Sequence, residues 1–168
     1  MMEKLKEQSG QFLLSTAVKL LIGAILLSAG VEVFHVYHTL NVVRDKTNEA
    51  VLAVAAVNVP EFYGGAREAD GFARHPEDGY FVFNITTDDV VDQLVQSLDA
   101  TGLSDDDTIT VGKSFSVTSL RTQYINYSGG DLNFETTLTA TVPLELGGIL
   151  LPAVTKRMEV RTSYAPKF

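Results

Sequence analysis

The sequence predicts an α+β protein: a long N-terminal helix, transmembrane and then amphipathic, packed on an antiparallel β-sheet with one additional short helix. Three observations carry that expectation. Residues 12–31 are an apolar run with a single charge, Lys19. After Glu32 the apolar residues recur at three- and four-residue spacing, with no proline before Pro60. Residues 132–146 instead alternate apolar and polar with period two, the signature of a strand with one buried and one wet face.

The apolar run comes first. Twenty residues of helix cover about 30 Å, the thickness of a hydrocarbon core. A domain of this size has too little material to wrap such a segment on all sides, so lipid is the expected surrounding. A secretory signal cut near Ser28-Ala29-Gly30 is the alternative, and a break in the helical pattern would follow such a cut. No break follows. Leu40, Val43, Thr47, Ala50, Val51, Val54 and Val57 form one stripe, and Arg44, Asp45, Lys46, Asn48 and Glu49 lie opposite. The helix is expected over residues 11–59, about 70 Å long, with Pro60 ending it.

The globular part is expected over residues 60–168. Residues 61–79, rich in glycine and charge, read as a loop, and residues 80–85 as a short strand. A helix follows, capped by Thr86 or Thr87, with Asp88 and Asp89 in its first turn and Gly102 just past its end. Val90, Val91, Leu94, Val95 and Leu98 make its apolar stripe. Residues 113–127 read as a strand, Ser128-Gly129-Gly130-Asp131 as a hairpin turn, and residues 154–164 as the last strand. The helices are expected on one face of this sheet.

Composition excludes several functions. The chain of 168 residues has a formal net charge of −8 and no basic stripe, which argues against a nucleic-acid partner. It has no cysteine, hence no disulfide, thiolate metal site or cysteine nucleophile. Glu32-Val33-Phe34-His35, with His38 a turn later, has the Glu-x-x-His spacing of di-iron bundles, but a single such motif on one helix supplies too few carboxylates. These residues read better as interfacial groups beside Tyr37. Asp105-Asp106-Asp107 lacks the alternating spacing of a Ca²⁺ loop and reads as a solvated turn. Asn84-Ile85-Thr86 and Asn126-Tyr127-Ser128 fit the glycosylation pattern, which arises often by chance. His75 has no Ser or Asp context suggestive of a triad, so neither catalysis nor a cofactor is expected.

Residues 1–10 read as a leader, with Lys4, Lys6 and a terminal Gly10 ahead of Gln11-Phe12. It resembles a prepilin signal cut between Gly10 and Gln11. Pilins of that kind carry Glu five residues into the mature chain, where this sequence has Ser15. Val43-Arg44-Asp45, Arg67-Glu68, the segments 127–132 and 142–144, Leu150-Leu151-Pro152 and the terminal 164–168 go together. In them the chain resembles a little-characterised family of small single-pass proteins of Gram-positive bacteria, similar in layout to TadE-like pseudopilins. That resemblance implies a structural subunit of a tight-adherence-type pilus or related secretion machine, with no catalytic site.

The expected partners are copies of the chain or related pilins, membrane lipid, and pilus or secretion assembly proteins. The N-terminus is expected in the cytoplasm and the C-terminal domain outside the cell membrane, whether anchored or in an extracellular filament. Gly23, Ala24, Ala29 and Gly30 would let helices approach closely. Lys19 and Glu32 either snorkel to opposite interfaces or pair between axially shifted copies. Two other readings stay open: a permanent single-pass anchor holding a protein-binding domain in a conjugation or secretion complex, and an anchored ligand-binding domain using the loop 61–79 with Arg67 and Arg74.

Overall fold

The computed structural model describes the backbone of residues 2–68, 85–100, 102–103, 108–128 and 131–165. Helix α1 (Met2–Glu68) is continuous over 67 residues, about 100 Å at 1.5 Å per residue. It is followed by α2 (Thr87–Ser97) and five strands: β1 (Gly102–Leu103), β2 (Ile109–Val111), β3 (Phe115–Ser128), β4 (Asp131–Leu146) and β5 (Ile149–Tyr164). The strands form one antiparallel meander in sequential order, and α1 and α2 pack together on one face of it. The fold is α+β, as expected.

The seam between α1 and the sheet follows the sequence pattern. Leu40, Val43, Thr47, Ala50, Val51 and Val54 are buried, with Ala55 beside them, facing Phe134, Leu138, Ala140, Val142 and Val160 in the core. Thr47 is fully buried, and its hydroxyl donates to the Val43 carbonyl at 2.7 Å, so no polar atom is left unpaired. Across the seam the Thr162 hydroxyl donates to Oδ1 of Asn48 at 2.7 Å, tying edge strand β5 to the middle of the helix. Val57, expected on the stripe, is instead 65% exposed.

Pro60 does not end α1, which continues to Glu68. Proline removes one amide donor, but its fixed φ is helical, and a helix already nucleated over many turns can continue past one missing bond. Residues 61–68 are therefore helical rather than loop, and helix also covers residues 2–10, ahead of the expected start at Gln11. The rest of the expected loop, the strand at 80–84, His75, Asp105-Asp106-Asp107 and Asn84 lie outside the described residues.

Helix α2 begins at a reciprocal capping box. Thr86 Oγ1 accepts from the Asp89 amide at 3.2 Å, while the Asp89 carboxylate accepts from the Thr86 amide at 3.1 Å. Its far end differs from expectation. Gly102 lies in β1, and the helix closes instead on Asp99, left-handed at φ 49°. The Ala100 amide donates to the Val95 carbonyl and the Asp99 amide to that of Gln96, a Schellman closure with aspartate in the usual glycine place.

In the sheet, β4 buries Leu132, Phe134, Thr136, Leu138, Ala140 and Val142 in strict alternation. Buried Thr136 shares a hydrogen bond with the Thr122 hydroxyl at 3.0 Å. The β3–β4 hairpin pairs Ser128 with Asp131. The β4–β5 turn is Gly147-Gly148, both at positive φ, as a tight two-residue hairpin with native twist requires. This turn starts β5 at Ile149, five residues before the expected Val154.

Two stability measurements follow. Asp99→Gly should raise stability by about 0.5–1 kcal/mol in urea or thermal unfolding, since glycine adopts this φ without a Cβ penalty. In a double-mutant cycle, Asn48→Ala and Thr162→Val should each cost about 1–3 kcal/mol and couple by more than about 0.5 kcal/mol. Additive losses would mean the Asn48–Thr162 bond contributes nothing of its own.

Candidate functional site

Half of α1 lies outside the seam, and its chemistry differs sharply from that of the packed half. Within the stretch Phe12–Asn58 one 18-residue window has a mean hydropathy of 2.1, with none of it buried. Phe12, Leu20, Leu27, Val33 and Phe34 are each about 70% exposed. Scattered exposed leucines are ordinary on proteins, but a contiguous apolar cylinder is not. The helix is long and apolar enough to cross a membrane.

The polar groups within this cylinder are arranged as lipid would require. The backbone is continuous α-helix, which pairs its amides with carbonyls one turn earlier, and the Thr16 hydroxyl donates to the Phe12 carbonyl at 2.9 Å. Lys19 is exposed and makes no ion pair among the described residues. At the other end the cylinder closes in a ring of amphipathic groups. Glu32 faces His35 at 4.0 Å, Phe34 stacks on His38 with centroids 6.3 Å apart, and Tyr37 stands exposed. Such residues favour the boundary between lipid and water. Among the described residues no group of three or more His, Cys, Asp or Glu side chains is placed to hold a metal ion.

The packed half starts immediately afterwards, with Thr39 and Leu40 buried and Val36 already half-buried against the core. No spacer separates the apolar cylinder from the domain.

The residues expected to mediate assembly are all on this helix. A Cβ built on Gly23 or Gly30 meets nothing within 4 Å, so the chain's own packing does not demand glycine there. The two lie seven residues apart, on nearly the same side of the helix. Ala24 is exposed and Ala29 half-exposed. Lys19 and Glu32 are separated by 13 residues, about 20 Å of rise and roughly 220° of rotation, so they point to different sides of one copy. Gly10 and Gln11 fall within continuous helical backbone.

The structure adds a surface that the sequence reading passed over. At the tip of the β4–β5 hairpin, Leu144 pairs with Leu151 and Leu146 with Ile149. Ile149 is 67% exposed, Leu150 77% and Leu151 42%. Leu144 and Leu146 continue the alternation of β4's buried face, but both are half-exposed. The signal was available in Ile149-Leu150-Leu151: three consecutive aliphatics in a strand cannot all point to one core.

No known family model matches the chain, and neither a curated protein nor a solved structure matches it.

Two lysines in the middle of the cylinder test its environment. With Leu21→Lys and Leu26→Lys together, each new charge should cost about 2.5–3.5 kcal/mol of membrane insertion. The variant should then move from the carbonate-resistant membrane fraction to the soluble or aggregated fraction, while wild type stays in the pellet.

Proposed function

We propose that this chain is a pilin-like structural subunit, held in a cell membrane by the apolar half of α1 and assembling with copies of itself or related subunits through that half. One observation supports it: the apolar cylinder runs without a spacer into the helix half that carries the domain. A helix of this kind can exchange lipid for neighbouring helices while its domain stays rigidly attached. Open space at Gly23 and Gly30 suits close helix approach. The topology that accompanies this reading has the N-terminus in the cytoplasm and the α+β domain outside. The filament would be a type IV or tight-adherence-type pilus or a related secretion machine, with subunits released by cleavage between Gly10 and Gln11.

N-terminal sequencing of native protein, from membranes and from material sheared off cells, tests the proposal. A chain beginning at Gln11 in the sheared fraction is the expected result. Confinement to the membrane with residues 1–10 retained would overturn it.

The second reading, a permanent single-pass anchor holding a protein-binding domain, is favoured by the exposed aliphatic tip at residues 144–151. It predicts a stable heteromeric complex in place of filaments.

The register of assembly has its own test. Pairing of Lys19 with Glu32 of a neighbour requires an axial offset of about 20 Å between copies. Lys19→Glu and Glu32→Lys should each abolish assembly, and the double swap should restore it. Equal assembly of all four forms would dispose of the pairing and leave both residues as interfacial anchors.

A further inference from the structure

The sheet face turned away from the helices carries a cavity that the assembly reading does not use. It measures about 600 Å³ and lies where the edge of β3, beyond its pairing with β2 at Phe115–Val117, meets the first turn of α2. Arg121 and Gln123 from β3, Glu135 and Thr137 from β4, Arg157 from β5 and Thr87 from α2 line it.

A register slip puts Arg121 there. Val117 is buried on the helix-facing side, and in a regular strand residue 121, four further on, would face the same way. Between Thr118 and Arg121 the β3–β4 ladder slips, with Ser119 left-handed at φ 55°. The extra residue turns Leu120 into the core and Arg121 outward, opposite Thr137. On the same edge the Thr122 amide donates to Thr87 Oγ1 at 3.2 Å, closing the cavity wall against α2.

The charges are distributed unevenly. Arg161, just outside, is neutralised by Glu159 at 2.8 Å and Glu135 at 3.6 Å. Glu135 also accepts from Gln123 at 3.4 Å, so the cavity's carboxylate is already engaged. Arg121 and Arg157 make no ion pair among the described residues, in a chain whose net charge is −8. Two uncommitted guanidinium forks on one cavity suit a doubly charged oxyanion. The volume exceeds what one phosphate needs. Among the described residues the remaining wall offers hydroxyls, an amide and a carboxylate oxygen, with Leu120 the one apolar side chain and no aromatic ring. That lining fits a hydroxylated body better than a stacked base.

We infer that this cavity binds a phosphorylated sugar or similar polyol, its phosphate held by Arg121 and Arg157 and its hydroxyls by Thr87, Thr137, Gln123 and Glu135. This site is present whether or not the chain forms filaments.

Calorimetric titration of the full chain in detergent micelles, with glucose 6-phosphate, inorganic phosphate and glucose as probes, tests it. Glucose 6-phosphate should bind saturably, inorganic phosphate about tenfold more weakly at the same site, and glucose not at all. Arg121→Gln and Arg157→Gln should each weaken glucose 6-phosphate about tenfold or more without moving the unfolding midpoint. Lys113→Gln, in the β2–β3 turn, should leave binding unchanged. Absence of saturable binding, equal binding to either arginine variant, or an equal loss in Lys113→Gln would overturn the site. Inorganic phosphate binding as tightly as glucose 6-phosphate would overturn the role of the hydroxyls.

Discussion

The domain depends on the seam where residues 39–55 of α1 lie against β4 and β5. A five-stranded meander has an apolar face that cannot stay open to water, and α2 with its 11 residues reaches only part of it. The helix supplies the rest of the cover. Valine and alanine dominate its buried stripe (Val43, Ala50, Val51, Val54, Ala55), which lets the backbone of α1 sit close to the strands. Thr47 is paired with the Val43 carbonyl and Asn48 with Thr162, which offsets the cost of taking these polar groups out of water.

That same helix must satisfy a second surrounding a few turns earlier. From Phe12 to Val31 its side chains, Lys19 apart, carry no charge on any side; from Thr39 onward they are apolar on one. The change occurs over about two turns, at Glu32, His35, Tyr37 and His38, with no glycine or proline between the halves. The boundary is drawn entirely by side-chain chemistry along an unbroken backbone. This is why the apolar half stays bare while the polar half is sealed onto its own domain.

Much of this was legible in the sequence because it rests on periodicity. The run at residues 12–31, the stripe from Leu40 to Val54, the alternation of β4 and the cap at Thr86 are local patterns imposed by helix and strand geometry. What was missed depends on context that a local pattern does not encode. Pro60 reads as a terminator, but the helix before it is long enough to carry the chain through. Asp99 closes α2 because α2 ends before a glycine is reached. Ser119 adopts a left-handed bulge that no glycine announces, and that slip decides which of Leu120 and Arg121 enters the core. The candidate surface on α1 was visible from composition alone. The cavity was not, since Thr87, Arg121, Glu135 and Arg157 come from four separate elements.

The missing spacer between the two halves of α1 also makes the helix a torsional reference. Each residue of an α-helix turns the chain by about 100° and advances it about 1.5 Å. The angular position of the sheet around the helix axis is therefore fixed by residue count from the exposed apolar half, not by any linker. Copies whose apolar halves are held in one orientation would all present the Arg121 face in a repeating direction. A single residue inserted between Tyr37 and Leu40 would swing that face by more than a quarter turn without disturbing either half.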